Sequence, residues 1–321
     1  MEPNKMKAVV CTKYGPPEVL QMREAEKPVP KDNEMLVEVR ATAVTRSDLF
    51  IRGTKMPIYF KVLMRLYMGI LKPRRPIIGL VFAGIVRSVG SQINRFTPGD
   101  EVYGMTGFKL GAYAQFVCVK ETDSTTGCVS FKPKNITFEE STYAVYGGSL
   151  ALQFMEAWNI TKDQNILIYG ASGTTGTFAV QYGKYLRGSV TGVCSGSHAE
   201  FVESLGAEHV LDYTTTDILD GNTKFDFMLD AVGKAKTSKL KLACKKALTK
   251  EGKYSSIDDS ALLLSAKRLD LITKLMEEGH IKPILDKTFP LEEMVEAHRY
   301  VEQGHKRGGV AITVGHTWED K

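Results

Sequence analysis

The sequence predicts an α/β protein that combines a small β-barrel-like domain with a doubly wound parallel sheet. Three observations lead to this prediction. An apolar strand, a glycine-rich turn and a helix-forming run follow one another over 165–182. Strand-like and helix-like patterns then alternate as far as 257, which is typical of βαβ units. The residues before 137 instead form short strand-like runs separated by Gly and Pro, as in small barrels.

The first part of the chain contains one stretch that differs from the strands around it. Strands are expected at 6–12, 35–43, 77–89, 101–103 and 111–119. The stretch 57–71 is crowded with large apolar residues and is predicted to be a helical insertion. Core packing is the ordinary explanation of such a stripe. A lid over an apolar substrate and a helix at a membrane surface are the alternatives.

From 137 onwards the pattern becomes alternating. Helices are expected at 141–146 and 149–158, interrupted by Gly147 and Gly148, and the helix after the glycine turn is expected to end with Gly188 as its C-cap. Parallel strands are expected at 165–169, 189–194, 209–212, 225–230 and 253–257. The tail is expected to form helices at 266–278 and 291–303 and strands at 281–284 and 310–314.

The glycine turn carries the strongest functional signal. Gly170 suits the tight turn after the strand, Gly173 lets a ligand's phosphates approach the backbone, and Gly176 lets the helix pack closely on the strand. The alternative is an ordinary strand-to-helix turn. Because both flanking elements are present, the sequence favours a dinucleotide pyrophosphate at the helix N-terminus. The candidate residues are Gly170, Ala171, Ser172, Gly173, Thr174, Thr175 and Gly176.

The composition indicates an ordinary globular protein. The 321 residues are enough for two domains, and 43% hydrophobic with 25% charged residues is ordinary for a globular protein. Five cysteines with no C-x-x-C pair argue for a reducing compartment and against a disulfide framework. The first residues lack an apolar signal-peptide core, so we expect a cytoplasmic protein.

Basic residues are concentrated in one part of the sequence. Between Leu49 and Gly99 there is no Asp or Glu, whereas nine Lys or Arg residues are present. This stretch is either a solvated basic face or a positive wall that attracts an anionic cofactor or substrate. Nucleic-acid binding is not expected, because no nucleic-acid-binding motif accompanies the charges.

The chain resembles the zinc-free members of the medium-chain dehydrogenase/reductase superfamily, close to the quinone oxidoreductase-like (zeta-crystallin-like) branch. The resemblance implies a GroES-like catalytic domain at 1–130, a Rossmann domain at 131–265 and a return to the catalytic domain at 266–321. It is carried by short motifs in a similar order and spacing: Met6-Lys-Ala-Val-Val, Pro98-Gly-Asp-Glu-Val-Tyr-Gly, Gly170-Ala-Ser-Gly, Leu205-Gly-Ala, Asp212-Tyr, Asp230-Ala-Val-Gly and Gly252-Lys-Tyr.

Metal chemistry is not expected. All six histidines follow the glycine turn, whereas a catalytic zinc in this superfamily takes Cys and His ligands from the barrel domain. The four clustered cysteines of the structural zinc site are also missing from the sequence. Without zinc, carbonyl-to-alcohol reduction lacks its usual Lewis acid. The resemblance therefore implies hydride transfer from NADPH to a quinone or a small, apolar, conjugated carbonyl compound.

Three departures from the family pattern leave a second hypothesis open. Thr45 replaces an Asn in a loop that helps to shape the family's site, although Asp48 of that loop is kept. Val81 replaces a carboxylate, and Leu150 replaces a Thr that typically faces the nicotinamide. The alternative to an enzyme is therefore a protein of the same fold that binds NADP(H) as a sensor or interaction partner.

The expected cofactor contacts are divided between two regions. About twenty residues after the glycine turn there is no acidic residue to bind a ribose 2′-hydroxyl, whereas Ser195 and Ser197 can hydrogen-bond a 2′-phosphate. We therefore expect NADPH rather than NADH. By resemblance, Tyr213 and Arg307 (or Lys306) complete that site, Ala231, Val232 and Gly233 lie beside the nicotinamide ribose, and Thr45, Asp48 and Tyr59 border the acceptor.

The spacing after the last Rossmann strand bears on assembly. Family members commonly pair a sixth strand across a two-fold axis, but only 258–265 separate the strand ending at 257 from the next helix. Eight residues hardly leave room for a crossover and another strand. We therefore expect a monomer or a homodimer built on other surfaces.

Overall fold

The computed structural model describes residues 4–53 and 65–316. The chain divides into two compact units. The first unit comprises Met1–Val145, Leu264–Thr273 and Leu285–Lys321. The second comprises Tyr146–Leu263 and Lys274–Ile284. Among the described residues, no helix combines the length and the apolar character needed to cross a bilayer.

The first unit is built around a largely antiparallel sheet. Its elements are β1 (Lys5–Cys11), β2 (Leu20–Glu26), β3 (Glu34–Ala43), α1 (Arg46–Arg52), β4 (Val81–Val89), β5 (Glu101–Met105), β6 (Phe116–Lys120), β7 (Cys128–Phe131), β13 (Leu285–Pro290), α7 (Met294–Gln303) and β14 (Gly309–Thr313). The described strands of this sheet run in the order β13-β14-β3-β4-β5-β7, with β6 also paired to β3, and β1 and β2 form a separate hairpin. β3 is buried along most of its length because it pairs with β14, β4 and β6.

The second unit is built around a parallel sheet. The elements that begin after residue 137 and precede β13 are α2 (Phe138–Met155), β8 (Asn165–Tyr169), α3 (Thr174–Tyr185), β9 (Ser189–Cys194), α4 (Ala199–Ser204), β10 (His209–Asp212), β11 (Phe225–Asp230), α5 (Lys239–Lys246), β12 (Leu248–Ser256) and α6 (Ala266–Glu277). The strands lie in the order β10-β9-β8-β11-β12. β8 is central, and three of its residues (Ile166, Leu167 and Ile168) are fully buried, as expected for a strand covered on both faces.

The fold class predicted from the sequence is confirmed, but three local predictions are wrong. α2 is continuous through Gly147 and Gly148, where propensity alone predicts a break. A Cβ at Gly147 would lie 2.8 Å from Cγ2 of Thr174, so this glycine allows α2 to approach the start of α3 closely. The residue with left-handed backbone after α3 is Arg187 (φ 61°), so Gly188 follows the cap and does not form it. The strand expected at 281–284 begins later, as β13. β13 begins at Leu285 because its pairing with β14 begins there.

β12 lies at one edge of the parallel sheet. Residues 258–265 contain no strand, as their number suggested. One edge of β12 pairs with β11, and the other has no strand beside it among the described residues. The sixth strand through which family members commonly dimerise is therefore not present in this stretch. The oligomeric state itself stays a prediction.

Candidate functional site

The turn between β8 and α3 has the geometry of a phosphate-binding loop. Gly170 follows the strand with φ 88°, a conformation that favours glycine. A Cβ at Gly176 would lie 2.1 Å from the carbonyl oxygen of Gly170, so only glycine allows the helix to begin this close to the strand. Gly173 is the N-cap of α3 and has no side chain with which to cap the first turn. No side chain therefore caps the first turn of α3, as in helix N-termini that bind anions.

Unlike Gly170 and Gly176, Gly173 is not required by the packing of the protein itself. The nearest protein atom to a Cβ at Gly173 is the Gly170 carbonyl oxygen, 3.6 Å away, and the φ of Gly173 is −80°. The protein itself therefore tolerates a side chain here. The space that a Cβ would fill is free of protein atoms, which is what the close approach of a phosphate to this backbone requires.

A second loop follows β11 and packs against the first. A Cβ at Gly170 would lie 2.5 Å from Cγ1 of Val232, so the two loops touch at the ends of neighbouring strands. Gly233 has φ 88° and lies so close to Asp258 that a Cβ would be 2.4 Å from its Oδ2. The backbone amide of Lys234 donates to the same oxygen at 2.7 Å. The loop 231–234 is therefore fixed on both sides.

The Asp230 side chain holds the backbone of that second loop in place through hydrogen bonds. It is fully buried, and Oδ1 accepts hydrogen bonds from the amides of Val232 and Gly233, each at 3.2 Å. Oδ2 accepts from the Tyr254 hydroxyl at 2.9 Å and lies 2.5 Å from Nζ of Lys241. One carboxylate thus fixes the backbone of the residues expected beside the nicotinamide ribose.

Lys241 completes this arrangement from α5. Its ammonium group is almost fully buried and donates to the carbonyl oxygens of Gly233 and Lys236, both at 2.8 Å. The sequence analysis did not assign a role to Lys241 or to the Asp230 side chain. The available signal was weak: Lys241 lies three residues before the buried Cys244, on the face of α5 that packs inwards.

The expected 2′-phosphate site contains a carboxylate that the sequence analysis did not anticipate. Ser195 and Ser197 follow β9 with their hydroxyl oxygens 3.1 Å apart. Asp212 ends the neighbouring strand β10, and a Cβ at Gly196 would lie 2.5 Å from its Oδ2. Hydrogen bonds from the side chain and then the backbone of Thr214 hold the pKa of Asp212 below its usual value. A negative charge therefore lies beside the two serines.

The other residues expected around the 2′-phosphate are also described. Tyr213 follows Asp212 and is 46% exposed, so its ring is accessible to a ligand. Arg307 is exposed in the segment between α7 and β14, in the first unit. Its neighbour Lys306 donates to the Gly308 carbonyl, and burial lowers the pKa of Lys306 to about 8.

The candidates for acceptor binding in the first unit are engaged with each other. Thr45 is the N-cap of α1, and its hydroxyl donates to Oδ2 of Asp48 at 2.6 Å and accepts from the Asp48 amide at 3.3 Å. Asp48 is fully buried, and this burial raises its pKa to about 6. The pair forms a capping box that stabilises the start of α1. Tyr59 lies outside the described residues.

The two apolar departures from the family pattern are buried. Val81 begins β4 and is fully buried, and its carbonyl oxygen accepts from the Thr42 hydroxyl at 2.6 Å. Leu150 lies in α2 with 5% exposure. Neither side chain can donate or accept a hydrogen bond, so neither replaces the polar group that the family pattern has there.

The potential metal-ligating side chains of the described residues are dispersed. Within 4–53 and 65–316, no three His, Cys, Asp or Glu side chains are grouped so as to hold a metal. Every cysteine is free and buried. Burial raises the pKa of the Cys194 thiol to about 11 and lowers that of His298 to about 3, and these shifts are typical of side chains enclosed in a core.

Comparisons with known proteins place these features in a family context. Residues 31–129 match the model of the alcohol dehydrogenase GroES-like domain, and residues 205–312 match that of the zinc-binding dehydrogenases. The chain is 29% identical to 2-methylene-furan-3-one reductase of Solanum lycopersicum, over 97% of this chain and 79% of that protein. It is 28% identical to the chloroplastic NADPH-dependent alkenal/one oxidoreductase of Arabidopsis thaliana, over 97% and 80%. The structure of the quinone oxidoreductase from Coxiella burnetii has the same fold, with a TM-score of 0.81 at 24% identity, covering 97% of this chain and 100% of that one.

Proposed function

Because the chain belongs to the medium-chain dehydrogenase/reductase superfamily, in its quinone-oxidoreductase-like branch, we propose that it is an NAD(P)H-dependent oxidoreductase. One observation carries the proposal. The space beside Gly173 is free although the Gly170 and Gly176 positions are tightly packed, which leaves room for a phosphate at the N-terminus of α3.

The chain's own residues would bind and orient the cofactor. The amides at the start of α3 would hold the pyrophosphate, and the loop fixed by Asp230 and Lys241 would hold the nicotinamide ribose. When bound, the reduced nicotinamide supplies a hydride. Preorganisation of the 231–233 backbone removes part of the ordering cost that would otherwise oppose alignment of the ring.

The proposed acceptor is a quinone or an α,β-unsaturated carbonyl compound, reduced without a metal. Two relatives carry names that denote reduction of a conjugated ketone or alkenal. The absence of histidine before residue 198 argues against a zinc ligand set in the N-terminal part of the first unit, Met1–Val145, although the matched family model is described as zinc-binding. A conjugated acceptor spreads the charge of the added hydride over several atoms. The remaining proton would then come from water.

NADPH is the cofactor we propose, with a preference of at least about tenfold over NADH. Support comes from the paired hydroxyls of Ser195 and Ser197 and from the accessible ring of Tyr213. The charge of Asp212 opposes a 2′-phosphate. Asp212→Asn should therefore raise the ratio of NADPH to NADH affinity by about two- to fivefold, the range for partly exposed charges.

Asp220 supplies a matched control for this experiment. Its carboxylate accepts from the amide and hydroxyl of Thr223 just as that of Asp212 does from Thr214, but it lies in another loop. Fluorescence titration of both variants with NADPH and NADH should show the change only in Asp212→Asn. Equal affinity of the wild-type protein for the two dinucleotides would contradict the proposed preference.

A second function is favoured by the side chains at the three positions that depart from the family pattern. The Thr45 hydroxyl donates to Asp48 and is not free to protonate a substrate, and Leu150 and Val81 offer no polar group. These residues favour a protein that binds NADP(H) as a sensor or interaction partner without turnover.

Steady-state turnover distinguishes the two functions. Oxidation of NADPH should be measured with a panel of quinones, alkenals and enones, before and after prolonged chelation. The proposed enzyme turns over at least one conjugated acceptor and keeps its rate after chelation. Binding of NADPH without turnover of any acceptor would establish the second function, and loss of turnover on chelation that zinc restores would contradict the metal-free reaction.

A further inference from the structure

The first unit exposes a group of large apolar side chains on two contacting segments, 65–71 and the short 3₁₀ helix Gly107–Lys109. The exposed fraction is 63% for Ile70 and 85% for Leu71. Tyr67 packs edge-to-face on Phe108 with their ring centroids 5.4 Å apart, which joins the two segments. We call this group the apolar tip, and its members are Leu66, Tyr67, Ile70, Leu71 and Phe108.

A tight turn keeps the side chains of the apolar tip exposed to solvent. Gly69 has φ 120°, and a Cβ there would lie 2.2 Å from the carbonyl oxygen of Lys72. The amide of Arg74 donates to the carbonyl of Met68 at 2.7 Å, which closes the turn, and Met68 itself packs against the core of the unit. Ile70 and Leu71 therefore project from a constrained turn whose base is anchored in the core.

Neighbouring side chains fasten the same turn. The Tyr14 hydroxyl donates to the Gly69 carbonyl at 2.8 Å. The Arg65 guanidinium lies 3.7 Å from the centre of the Tyr14 ring and donates to the Ile70 carbonyl at 3.1 Å. These contacts stabilise a conformation that leaves two branched aliphatic side chains in water, where they gain nothing from burial.

The surface around the apolar tip carries an excess of positive charge. No acidic residue occurs between Leu49 and Gly99. Away from the tip, three described basic residues of that stretch pair with carboxylates: Arg52 with Glu302, Arg87 with Glu38 and Arg95 with Asp270. Beside the tip, four cations lack a carboxylate within ion-pair distance in the described part of the chain: Arg65, Lys72, Arg74 and Arg75.

We propose that the apolar tip and these four cations form a docking surface for an anionic lipid bilayer. Protruding aliphatic and aromatic side chains insert among acyl chains and headgroups, while flanking cations are attracted to the negative surface. The shape favours a bilayer over a folded protein partner. A side chain as exposed as Leu71 projects from the surface, and a deformable bilayer can accept it without a matching pocket.

Vesicle co-sedimentation of the full chain tests the proposal. Vesicles of phosphatidylcholine alone should bind weakly, and vesicles that also contain phosphatidylserine should bind more strongly at low than at high salt. Each cation near such a surface contributes about fivefold to partitioning, so Lys72→Gln with Arg74→Gln should lower binding by at least about tenfold. Ile70→Ser with Leu71→Ser should lower it by a similar factor and reduce its resistance to salt.

Matched variants in the second unit serve as controls. Ile218 is 80% exposed, so Ile218→Ser removes an equally accessible aliphatic group. Lys250→Gln with Lys253→Gln removes two exposed charges from β12. Both controls should bind vesicles like the wild-type protein. Circular dichroism should show the same fold for every variant.

Four results would overturn the proposal. These are no wild-type binding to phosphatidylserine vesicles, equal binding to the two vesicle compositions, an equal loss in the control variants, or unchanged binding after the tip substitutions. A dimer that the Ile70→Ser, Leu71→Ser variant abolishes would show that a second copy occupies the tip. A raised KM for the acceptor in the absence of vesicles would assign the tip to substrate binding instead.

Discussion

Gly173→Ala separates cofactor binding from folding more sharply than any other single substitution in the glycine loop. The new methyl group would have 3.6 Å to its nearest protein neighbour, and the backbone angle of −80° is one that alanine adopts freely. Alanine is a poorer N-cap than glycine, which costs about 0.5–1 kcal/mol. It also reduces the freedom of the unfolded chain, which contributes about 0.4–1 kcal/mol in the opposite direction. The free energy of unfolding should therefore change by less than about 1 kcal/mol.

Binding should respond far more strongly. The methyl group would occupy the space into which we place the pyrophosphate, and it would displace a phosphate oxygen from an amide at the start of α3. A hydrogen bond to a charged group contributes about 1.5–3 kcal/mol, so the Kd for NADPH should rise by about ten- to a hundredfold. Calorimetric titration gives the Kd, and chemical denaturation gives the stability.

Two further glycines provide the comparison. Gly221 has no atom within 4 Å of a Cβ and lies far along the chain from the loop, so Gly221→Ala should leave both quantities unchanged. Gly176→Ala would force a Cβ to within 2.1 Å of a carbonyl oxygen and should lose stability as well as binding. An unchanged Kd in Gly173→Ala would refute the placement of the pyrophosphate, and a loss of stability like that of Gly176→Ala would refute the packing argument.

Two other predictions concern buried charges. Lys241→Met leaves the Asp230 carboxylate buried without its ammonium partner, so the free energy of unfolding, measured by chemical denaturation, should fall by about 3–5 kcal/mol. Lys239→Met, at an exposed position of the same helix, should change it by less than about 0.5 kcal/mol. Equal effects of the two substitutions would contradict the role of the buried pair. Asp48 has a folded-state pKa of about 6, above the usual 3.8, so the folded state holds its proton more tightly. Wild-type stability relative to Asp48→Asn should therefore fall by about 3 kcal/mol as the pH rises from about 4 to about 6, and a constant difference across that window would contradict the prediction.

The sequence alone determined the order of the elements and the location of the phosphate loop. β8, Gly170, Gly173 and Gly176 could be recognised because a strand followed by a glycine turn and a helix is a local pattern, set by residues close together in the chain. The barrel-like first part followed from short strands punctuated by Gly and Pro, although β2 and β7 were too short or too weakly alternating to be predicted.

The tertiary structure decided which side chains support that loop. Asp230 and Lys241 are eleven residues apart and meet only because β11 and α5 pack together, so no local period pairs them. Asp212 approaches Gly196 because β10 pairs with β9, and sequence distance from the glycine turn had indicated a site without a carboxylate. The close approach of α2 to Thr174, which the missing Cβ of Gly147 allows, is likewise a tertiary feature that helix propensity does not reveal. Local pattern fixes where a helix or a loop begins, whereas burial and charge at the site depend on contacts between segments that are distant in the chain.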